Sequence, residues 1–508
     1  MNHLSRAYLP SVAPASDLQL PDEALFNLPE KVLQFGTGVL LRGLPDYFID
    51  KANRQGIFNG RIVVVKSTDS GDSSSFDKQD NLYTLCVRGI ENGQVVEEDI
   101  ICSAISRVLS AKTQWQSVLA CAGNPDMQVV ISNTTEVGIQ LLEMDTIDLK
   151  PPVSFPGKLL AFLYERFKAF GGSKDSGLVI VPTELIVDNG KKLESIVLEL
   201  AYRNGLKEDF LDWIENYNFF CNSLVDRIVP GKPDAQFIKA LEGRLNYTDA
   251  LLAMSEVYRL WAIEGNEAVK SVLSFYQVDE GVRIEPSIDT YRELKLRLLN
   301  GTHTLSCGLA FMAGFSTVKA AMQHQTASGF ISKLMLSELA ASLPDSITEA
   351  KAQEFGLQVL DRFRNPYIEH KWISITLQYS FKMKTRNVAS ILNYYRVHNR
   401  VPEYVSLGFA AYLLFMKAVR EERKEFYGEI NGENYLISDD KAAYYYEKWN
   451  TLSVEELVAD VLQNEALWGE NLSNLPGFAA SVTENLKRLQ SEGALACIAS
   501  LLLGMHSD

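Results

Sequence analysis

The chain has 508 residues, of which 46% are hydrophobic and 22% charged, proportions typical of a globular protein with more than one domain. Its 49 Lys and Arg residues against 64 Asp and Glu residues give a formal net charge of −15. That charge argues against nucleic acid as a partner, because binding a phosphate backbone requires a basic face. It leaves room for a local basic pocket that binds a small anion.

The six cysteines are widely spaced and form no Cys-x-x-Cys pair. We therefore expect reduced, buried thiols, with neither a disulfide framework nor a metal site. No apolar run approaches the roughly 18 residues that cross a bilayer, and the first 30 residues lack the apolar core of a signal peptide. The sequence predicts a cytoplasmic protein with no membrane partner.

Strand and helix patterns alternate in the first half of the chain, after an irregular lead-in over residues 1–30. Strands are predicted at 32–35, 61–68, 128–132 and 177–182, with a hairpin of 82–87 and 94–101. Helices are predicted after the glycine-rich turn at 36–38 and at 157–170, 189–205, 208–216 and 237–241. This alternation favours an α/β domain of Rossmann type with a mostly parallel sheet.

Strand signals fade after about residue 190, and helical periodicity dominates from about 286 onward. The clearest predicted helices are 294–315, 331–342, 347–363, 407–419, 442–449, 454–463 and 479–503. We place a domain boundary near residue 285. Residues 1–285 would then form the dinucleotide-binding domain, and residues 286–508 a predominantly α-helical domain that holds the substrate and the catalytic residues.

The turn Gly36-Thr37-Gly38 lies between a predicted strand and a predicted helix, where a dinucleotide pyrophosphate is held. The first glycine permits the tight turn, and the second lets the backbone approach the phosphates. The third glycine of the G-x-G-x-x-G pattern is replaced by Leu41. An ordinary strand-to-helix turn therefore stays open as the alternative.

The end of the second predicted strand carries Lys66 rather than the acid that accepts hydrogen bonds from the ribose of NAD. A basic residue at this point can bind the additional phosphate of NADP. Asp69 could still reach the ribose if the strand extends further. The residues alone leave the choice between NAD and NADP open.

Three polar residues lie close together in the segment Y-R-E-L-K-L-R-L-L-N-G-T-H at 291–303. On a helix that advances about 100° per residue, Lys295, Asn300 and His303 fall within one arc of roughly 140°. Reduction of a ketone by hydride needs such a set, because the alkoxide must receive a proton and its charge must be stabilised. Lys295 is the candidate acid and base, and Asn300 and His303 are the candidate donors to the oxyanion. Each residue also has an ordinary alternative when it is considered alone: Lys295 as a solvated side chain, Asn300 as part of a turn or helix cap, and His303 as a core or surface residue.

This lysine, asparagine and histidine pattern resembles the signature of the polyol-specific long-chain dehydrogenases, the mannitol dehydrogenase family. Four further blocks are similar to that family: Q-F-G-T-G-V-L-L-R-G at 34–43, S-N-T-T-E-V-G at 132–138, N-S-L-V-D-R-I-V at 222–229 and R-F-R-N-P-Y-I at 362–368. The resemblance covers nearly the whole chain. It implies a Rossmann-type domain followed by a helical domain, with NAD as cofactor and no catalytic metal.

Matching positions imply roles for individual residues. Lys295 would be the acid and base, with Asn300 and His303 polarising the carbonyl and Asp226 close to the substrate. The implied cofactor-binding residues are Gln34, Phe35, Gly36, Thr37, Gly38, Val39, Leu40, Arg42, Asp69, Thr135 and Glu136.

The sequence departs from the family pattern at two places. Mannitol dehydrogenases have an asparagine of the oxyanion hole where this chain has Glu184. An ionised carboxylate repels an oxyanion, so Glu184, a predicted substrate-binding residue, is protonated, aimed elsewhere or active in another step such as proton relay. The second departure lies three residues before the catalytic lysine, where mannitol dehydrogenases have an acid and this chain has Arg292, followed by Glu293. The substitution places a role of this site in proton gating in doubt.

The blocks S-N-T-T-E, P-T-E-L-I, R-F-R-N-P-Y-I-E-H and K-M-K-T-R resemble the branch of the family that reduces D-tagaturonate to D-altronate with NADH in hexuronate breakdown. Such a sugar acid needs a cation for its carboxylate. We expect Lys384 and Arg386 to supply it, with His370 as a further donor. A solvated face formed by Lys382, Lys384 and Arg386 is the alternative.

Other substrates remain open at this point: D-fructuronate, or a neutral ketose as in mannitol 2-dehydrogenase. A nucleotide-binding sensor without activity is the remote alternative. The oligomeric state, monomer or homodimer, and the physiological direction are also left open.

Overall fold

The computed structural model describes residues 2–67, 73–134 and 138–504. They divide into two compact units. The first consists of the chain up to Gly89 together with Val95–Ile288, and the second of Ile90–Gln94 together with the chain from Asp289 onward. In the ranges that the structure describes, none of the helices has the length and apolar character needed to span a bilayer.

The first unit contains strands and helices in alternation. Its strands are β1 (Asn2–His3), β2 (Leu18–Gln19), β3 (Glu30–Phe35), β4 (Arg61–Lys66), β5 (Tyr83–Glu91), β6 (Gln94–Cys102), β7 (Ile105–Ser110), β8 (Val129–Ser132), β9 (Val179–Pro182), β10 (Phe219–Phe220), β11 (Ser223–Asp226), β12 (Tyr247–Thr248), β13 (Ala253–Glu256), β14 (Leu260–Glu264) and β15 (Val282–Glu285). Its α-helices are α1 (Val39–Gly43), α2 (Pro45–Arg54), α3 (Ser74–Lys78), α4 (Trp115–Ala120), α5 (Phe155–Ala169), α6 (Asn189–Arg203), α7 (Glu208–Tyr217), α8 (Ala235–Leu245) and α9 (Glu267–Val272). Short 3₁₀ helices lie at Leu9–Ser11, Glu23–Asn27, Cys121–Gly123, Lys174–Ser176 and Ser274–Val278.

A six-stranded sheet in the order β7-β4-β3-β8-β9-β10 forms the centre of this unit, and its strand pairs are parallel. The central strands β3, β4, β8 and β9 have mostly apolar, buried middles because both faces of the sheet are covered. Val64 packs into the core on one face, whereas its neighbours Val63 and Val65 pack into the core on the other. The predicted α/β domain with a mostly parallel sheet is confirmed. The strand order reverses beside β3, the position at which sheets of this type bind ligands.

The expectation that strands fade after residue 190 is wrong, because β10 to β15 all lie beyond it. β11, β14 and β15 form a three-stranded sheet, and β13 joins β5, β6 and β2 in a four-stranded one. The missed strands are short and carry buried polar side chains such as Asp226 and Glu256, so they lack an apolar pattern. The predicted hairpin is present: β5 and β6 are connected by Asn92 and Gly93, both with positive φ as a two-residue turn requires.

The second unit is predominantly helical, as predicted. Its α-helices are α10 (Asp289–Leu294), α11 (Thr302–Met312), α12 (Val318–Gln323), α13 (Gln325–Lys333), α14 (Glu349–Phe363), α15 (Trp372–Ile375), α16 (Tyr379–Met383), α17 (Ala389–His398), α18 (Glu403–Phe415), α19 (Ala442–Thr451), α20 (Val454–Gln463), α21 (Glu465–Trp468), α22 (Phe478–Glu492) and α23 (Ala494–Gly504). Helix α18 is buried on all sides and packs against α11 and α22.

Irregular helical segments in the second unit were not expected. π-helices occupy Lys295–Gly301, Leu334–Leu339 and Lys384–Val388, and 3₁₀ helices occupy Ala340–Ser342 and Leu472–Asn474. The continuous helix predicted over 479–503 is wrong in one respect: Gly493, with φ of 82°, separates α22 from α23. A small sheet of β16 (Arg420–Glu422), β17 (Glu425–Ile430) and β18 (Glu433–Leu436) was also missed, because these strands are rich in glutamate.

Candidate active site

The glycine-rich turn of the first unit follows β3 at the point where the strand order reverses. Gly36 has a φ of 131°, a region that side chains other than glycine rarely adopt. A Cβ atom at this position would lie 2.9 Å from the carbonyl oxygen of Asn133 and 2.8 Å from Cδ1 of Leu41. Gly36 is therefore required by the conformation of the turn and by its packing against the segment after β8.

Gly38 differs from Gly36 because nothing in the fold requires a glycine there. Its φ is −64°, and a Cβ atom would have no neighbour within 4 Å among the described residues. Helix α1 begins directly after it, and the first N–H groups of a helix have no acceptor within the helix. An exposed glycine beside such donors lets a phosphate approach the backbone closely, so the turn fits the pyrophosphate of a dinucleotide.

The remaining predicted cofactor-binding residues fall into three groups. Thr37, Val39 and Leu40 are partly exposed around the turn, and Gln34 and Phe35 are buried beneath it. Asp69, Thr135 and Glu136 lie outside the described residues. The buried guanidinium of Arg42 donates to the carbonyl oxygen of Leu251 and lies 5.3 Å from the ring of Tyr83. Arg42 therefore points into the core of the first unit, and its predicted role with the cofactor stays a prediction.

Glu184 is buried at the carboxyl ends of β8 and β9, and its carboxyl group accepts three hydrogen bonds. Oε1 accepts from the backbone N–H of Thr134 at 2.8 Å and from its hydroxyl at 2.9 Å, and Oε2 accepts from the hydroxyl of Ser132 at 3.1 Å. These contacts favour the possibility that Glu184 is aimed elsewhere than at an oxyanion. The carboxyl group fixes the segment that leads from β8 toward the predicted cofactor residues. Asp226 lies at the end of β11 and is 7% exposed.

In the second unit, Lys295 and Asn300 belong to the π-helix Lys295–Gly301, which continues into α11. A π-helix bonds each N–H to the carbonyl five residues earlier and therefore holds more residues per turn than an α-helix. Residues five positions apart, such as Lys295 and Asn300, come nearer to one face than α-helical geometry predicts. Single π-helical turns are frequent at functional sites.

His303 follows in the first turn of α11 and is 8% exposed. Its ring stacks on Phe363, with centroids 4.1 Å apart, and meets the rings of His370 and Trp372 edge to face. Within the described residues, Nε2 of His303 has no hydrogen-bond partner, although it is buried. A buried polar atom without a partner calls for an explanation, and a ligand oxygen would satisfy it.

Basic groups surround His303 on several helices. Burial lowers the pKa of His303 well below its ordinary value, and the charges of His370, Arg362, Arg386 and Lys382 lower it further. The imidazole is therefore neutral near pH 7. A chain with a net charge of −15 thus places three cationic side chains, those of Arg362, Lys382 and Arg386, around one histidine, which is a suitable environment for an anion.

The structure separates the basic residues of the segment K-M-K-T-R. Lys382 and Arg386 act on His303, and the guanidinium Nη1 of Arg386 donates to the hydroxyl of Thr304 at 3.1 Å. Lys384 is directed elsewhere: its Cε lies 3.8 Å from the position that a Cβ would take on Gly469. The sequence signal that could have separated them is the spacing of four between Lys382 and Arg386, which places both on one helical face.

Arg362 was not among the predicted site residues. It lies at the end of α14, is 9% exposed and contributes to the positive charge around His303. Its block R-F-R-N-P-Y-I was noted only for its similarity to the family. The sequence contains no local pattern that links this helix to the segment around residue 303.

Known proteins match this chain along its whole length. The chain is 37% identical over 484 residues to the altronate oxidoreductase of Halalkalibacterium halodurans, covering 94% of each. It also matches the solved mannitol 2-dehydrogenase of Pseudomonas fluorescens in ternary complex with NAD and D-mannitol, with 22% identity, a TM-score of 0.66, and coverage of 98% of this chain and 99% of the other. A substrate-free D-sorbitol dehydrogenase structure gives 20% identity and a TM-score of 0.77, covering 97% and 100%.

The two structural matches show a shared fold. The model of the mannitol dehydrogenase Rossmann domain matches residues 30–275, and the model of the mannitol dehydrogenase C-terminal domain matches residues 287–490. Together these matches cover both units and contain the glycine-rich turn as well as the segment from Lys295 to His303. The chain belongs to the mannitol dehydrogenase family.

Proposed function

We propose that the protein catalyses the reversible reduction of D-tagaturonate to D-altronate with NADH, in the cytoplasm, as a step of hexuronate breakdown. The observation that carries the proposal is the group of three cations, Arg362, Lys382 and Arg386, around a neutral His303. A sugar acid carries both a ketone to be polarised and a carboxylate to be anchored. Relatives named altronate oxidoreductase, similar along the whole chain, support this substrate.

In this reaction the nicotinamide ring of NADH supplies the hydride. Lys295 donates the proton that the carbonyl oxygen takes up, and it accepts that proton in the oxidising direction. Asn300 and His303 donate hydrogen bonds to the oxygen as negative charge develops on it. A neutral imidazole carries one N–H, and the buried Nε2 of His303 is the atom from which that hydrogen reaches the substrate.

The substrate carboxylate is assigned to Arg386 and Lys382. Burial lowers the pKa of both side chains, so each gains from an anionic partner that replaces lost water. The planar guanidinium of Arg386 suits a bidentate contact with a carboxylate. Lys384, which the sequence favoured, is the weaker candidate because it is directed toward Gly469.

Two acidic residues of the first unit complete the proposal. We assign Glu184 to holding Ser132 and Thr134 in place, because its carboxyl group accepts hydrogen bonds from both. Asp226 is retained as an acid close to the substrate. Gly36 and Gly38 hold the pyrophosphate of NADH, with Gly38 making the close approach.

The test is NADH oxidation followed by absorbance with D-tagaturonate, D-fructuronate and D-fructose in parallel, repeated with NADPH. Fast turnover with D-tagaturonate and NADH alone supports the proposal. Preference for D-fructuronate would keep the carboxylate anchor and change the stereochemical assignment. Preference for D-fructose would remove the anchor, and silence with all three would refute the enzymatic reading.

A further inference from the structure

Two π-helices of the second unit, Lys295–Gly301 and Lys384–Val388, lie against each other. The first carries Lys295 and Asn300, which handle the carbonyl in the proposed reaction, and the second carries Arg386, which anchors the carboxylate. The distance between the two segments therefore has to match the distance between the ketone and the carboxylate of one substrate molecule.

Arg297 connects these segments from the middle of the first π-helix. Its Nη1 donates to the carbonyl oxygens of Thr385 at 3.0 Å and Arg386 at 2.9 Å. Its Nε donates to Oε2 of Glu293 at 3.0 Å, and its side chain is 13% exposed. The planar guanidinium is thus held on its own helix by Glu293 while it binds two successive carbonyl groups of the other helix.

Three further hydrogen bonds connect the two segments, either directly or through Thr304 of α11. The buried Asn387 donates through Nδ2 to the carbonyl oxygen of Gly301 at 3.1 Å. The absence of a side chain at Gly301 favours this approach, because a Cβ there would lie 3.0 Å from that nitrogen and make a tight contact. The hydroxyl of Thr304 accepts from Arg386 and donates to the carbonyl oxygen of Asn300 at 2.8 Å. The anchor and the proton-transfer segment are therefore connected at Arg297, at Gly301 and, through Thr304, at Asn300.

We propose that Arg297 is a positioning residue that sets the spacing between the carbonyl-binding segment and Arg386, and so aligns the ketone of the anchored substrate with Lys295 and Asn300. The inference rests on the proposed function, which makes Arg386 the carboxylate anchor. Arg297 touches neither reacting atom. It acts on orientation, where a misplacement of about 1 Å can cost roughly 100-fold in rate.

The experiment compares Arg297→Met with Arg488→Met in the full-length protein. Arg488 is a matched control, because it also pairs with a glutamate four positions away in the same unit, with Nε 3.1 Å from Oε1 of Glu492. For Arg297→Met with D-tagaturonate and NADH we expect kcat to fall about 30- to 100-fold and KM to change less than about threefold. Arg488→Met should keep both values within about twofold of the wild type.

A double-mutant cycle with Arg386→Met separates positioning from general damage. Once the anchor is gone, Arg297→Met should reduce kcat/KM by less than about threefold more, because both changes act on the same contact. Fully additive losses would overturn the proposal. If Arg297→Met fails to fold, Glu293→Gln, which removes only the support of the guanidinium, should lower kcat about three- to tenfold, and no change would refute the positioning role.

Hydrogen–deuterium exchange gives a readout that does not depend on turnover. Arg297→Met should increase exchange in both 295–301 and 384–388, whereas Arg488→Met should leave both segments as they are. Unchanged exchange in the Arg297 variant overturns the inference even if activity is lost. A wild-type protein that is inactive with every keto sugar would refute the proposed function, while the exchange result still decides whether Arg297 holds the two segments.

Discussion

The glycine-rich turn of the first unit and the paired π-helices of the second prepare for their ligands in different ways. At the turn, the backbone makes the site, and the conformation of Gly36 and the openness at Gly38 are the features that matter. At the π-helices, side chains from α11, α14 and the segment 382–386 converge on His303. A backbone site leaves a short local signature in the sequence, whereas a side-chain site depends on packing between distant segments.

The largest expected effect belongs to the side-chain site. Lys295→Ala should lower kcat by roughly 10²- to 10⁴-fold, because the alkoxide loses its proton donor. Binding of NADH, measured by fluorescence titration, should stay within about twofold of the wild-type value, since the turn lies in the first unit. Turnover within about tenfold of the wild type would show that another group transfers the proton.

The assignment of Arg386 as the carboxylate anchor can be tested by comparing it with Lys384, a second cation of the same segment. Arg386→Met should lower kcat/KM for D-tagaturonate roughly 30- to 1,000-fold, the equivalent of about 2–4 kcal/mol for a lost charged hydrogen bond. Lys384→Met should change kcat/KM by less than about threefold, because its side chain is directed toward Gly469. Steady-state kinetics of both variants measure these effects. Equal effects would mean that the segment contributes only general positive charge and that Arg386 is not a specific anchor.

Substitutions of the two glycines of the turn should have different effects, one on stability and the other on NADH binding. Gly36→Ala should lower the free energy of unfolding by about 1–3 kcal/mol, because it introduces a strained φ and a contact with Asn133. Gly38→Ala should leave unfolding unchanged and weaken NADH binding at least about tenfold, since its Cβ enters the space assigned to the pyrophosphate. Urea denaturation and NADH titration measure both. Normal NADH binding by Gly38→Ala would contradict the assignment of the turn.

The smallest expected effect is a dependence of stability on pH. The pKa of His303 is lowered in the folded protein, so below about pH 6.5 the unfolded chain takes up a proton that the folded protein refuses. Stability should therefore fall as pH falls through this range, by up to about 1.4 kcal/mol per pH unit for one proton. The slope between pH 7 and pH 5 should be smaller in His303→Gln, as urea denaturation can show.

The comparison with His303→Gln is needed because another buried group changes the pH dependence of stability in the opposite direction. Burial raises the pKa of Asp46 to about 8, so the folded protein holds a proton that the unfolded chain loses above about pH 4. That group makes stability fall as pH rises. Only the difference between the wild type and His303→Gln isolates the histidine, and identical slopes would mean that His303 does not resist protonation.

The sequence predicted those features whose signals are local. Four of the six parallel strands, β3, β4, β8 and β9, were visible as apolar runs, and the turn was visible from two glycines after a strand. Lys295, Asn300 and His303 could be grouped because they lie within nine residues of one another along the chain. Each of these patterns depends on neighbours in sequence, which is the information that periodicity and spacing provide.

Features that depend on tertiary contacts were not visible. Arg362 lies on α14 and Lys382 on α16, and only packing brings their charges to His303. The π-helices Lys295–Gly301 and Leu334–Leu339 lie in segments predicted as ordinary helix, because an extra residue in a turn changes no composition, and Lys384–Val388 lies where no helix was predicted. The short strands β11 and β13 were missed, since their polar residues Asp226 and Glu256 conceal the alternation that marks a strand.

The complete burial of helix α18 has a consequence during synthesis, because the segments that cover it are made at different times. It is buried on all sides, and its partner α22 follows only after β16 to β18 and α19 to α21. At roughly 5–20 residues per second, the ribosome needs several seconds to produce that intervening stretch. During this time α18, a mostly apolar helix, lacks the part of its surface cover that α22 provides, so we expect the second unit to be most vulnerable to aggregation late in synthesis.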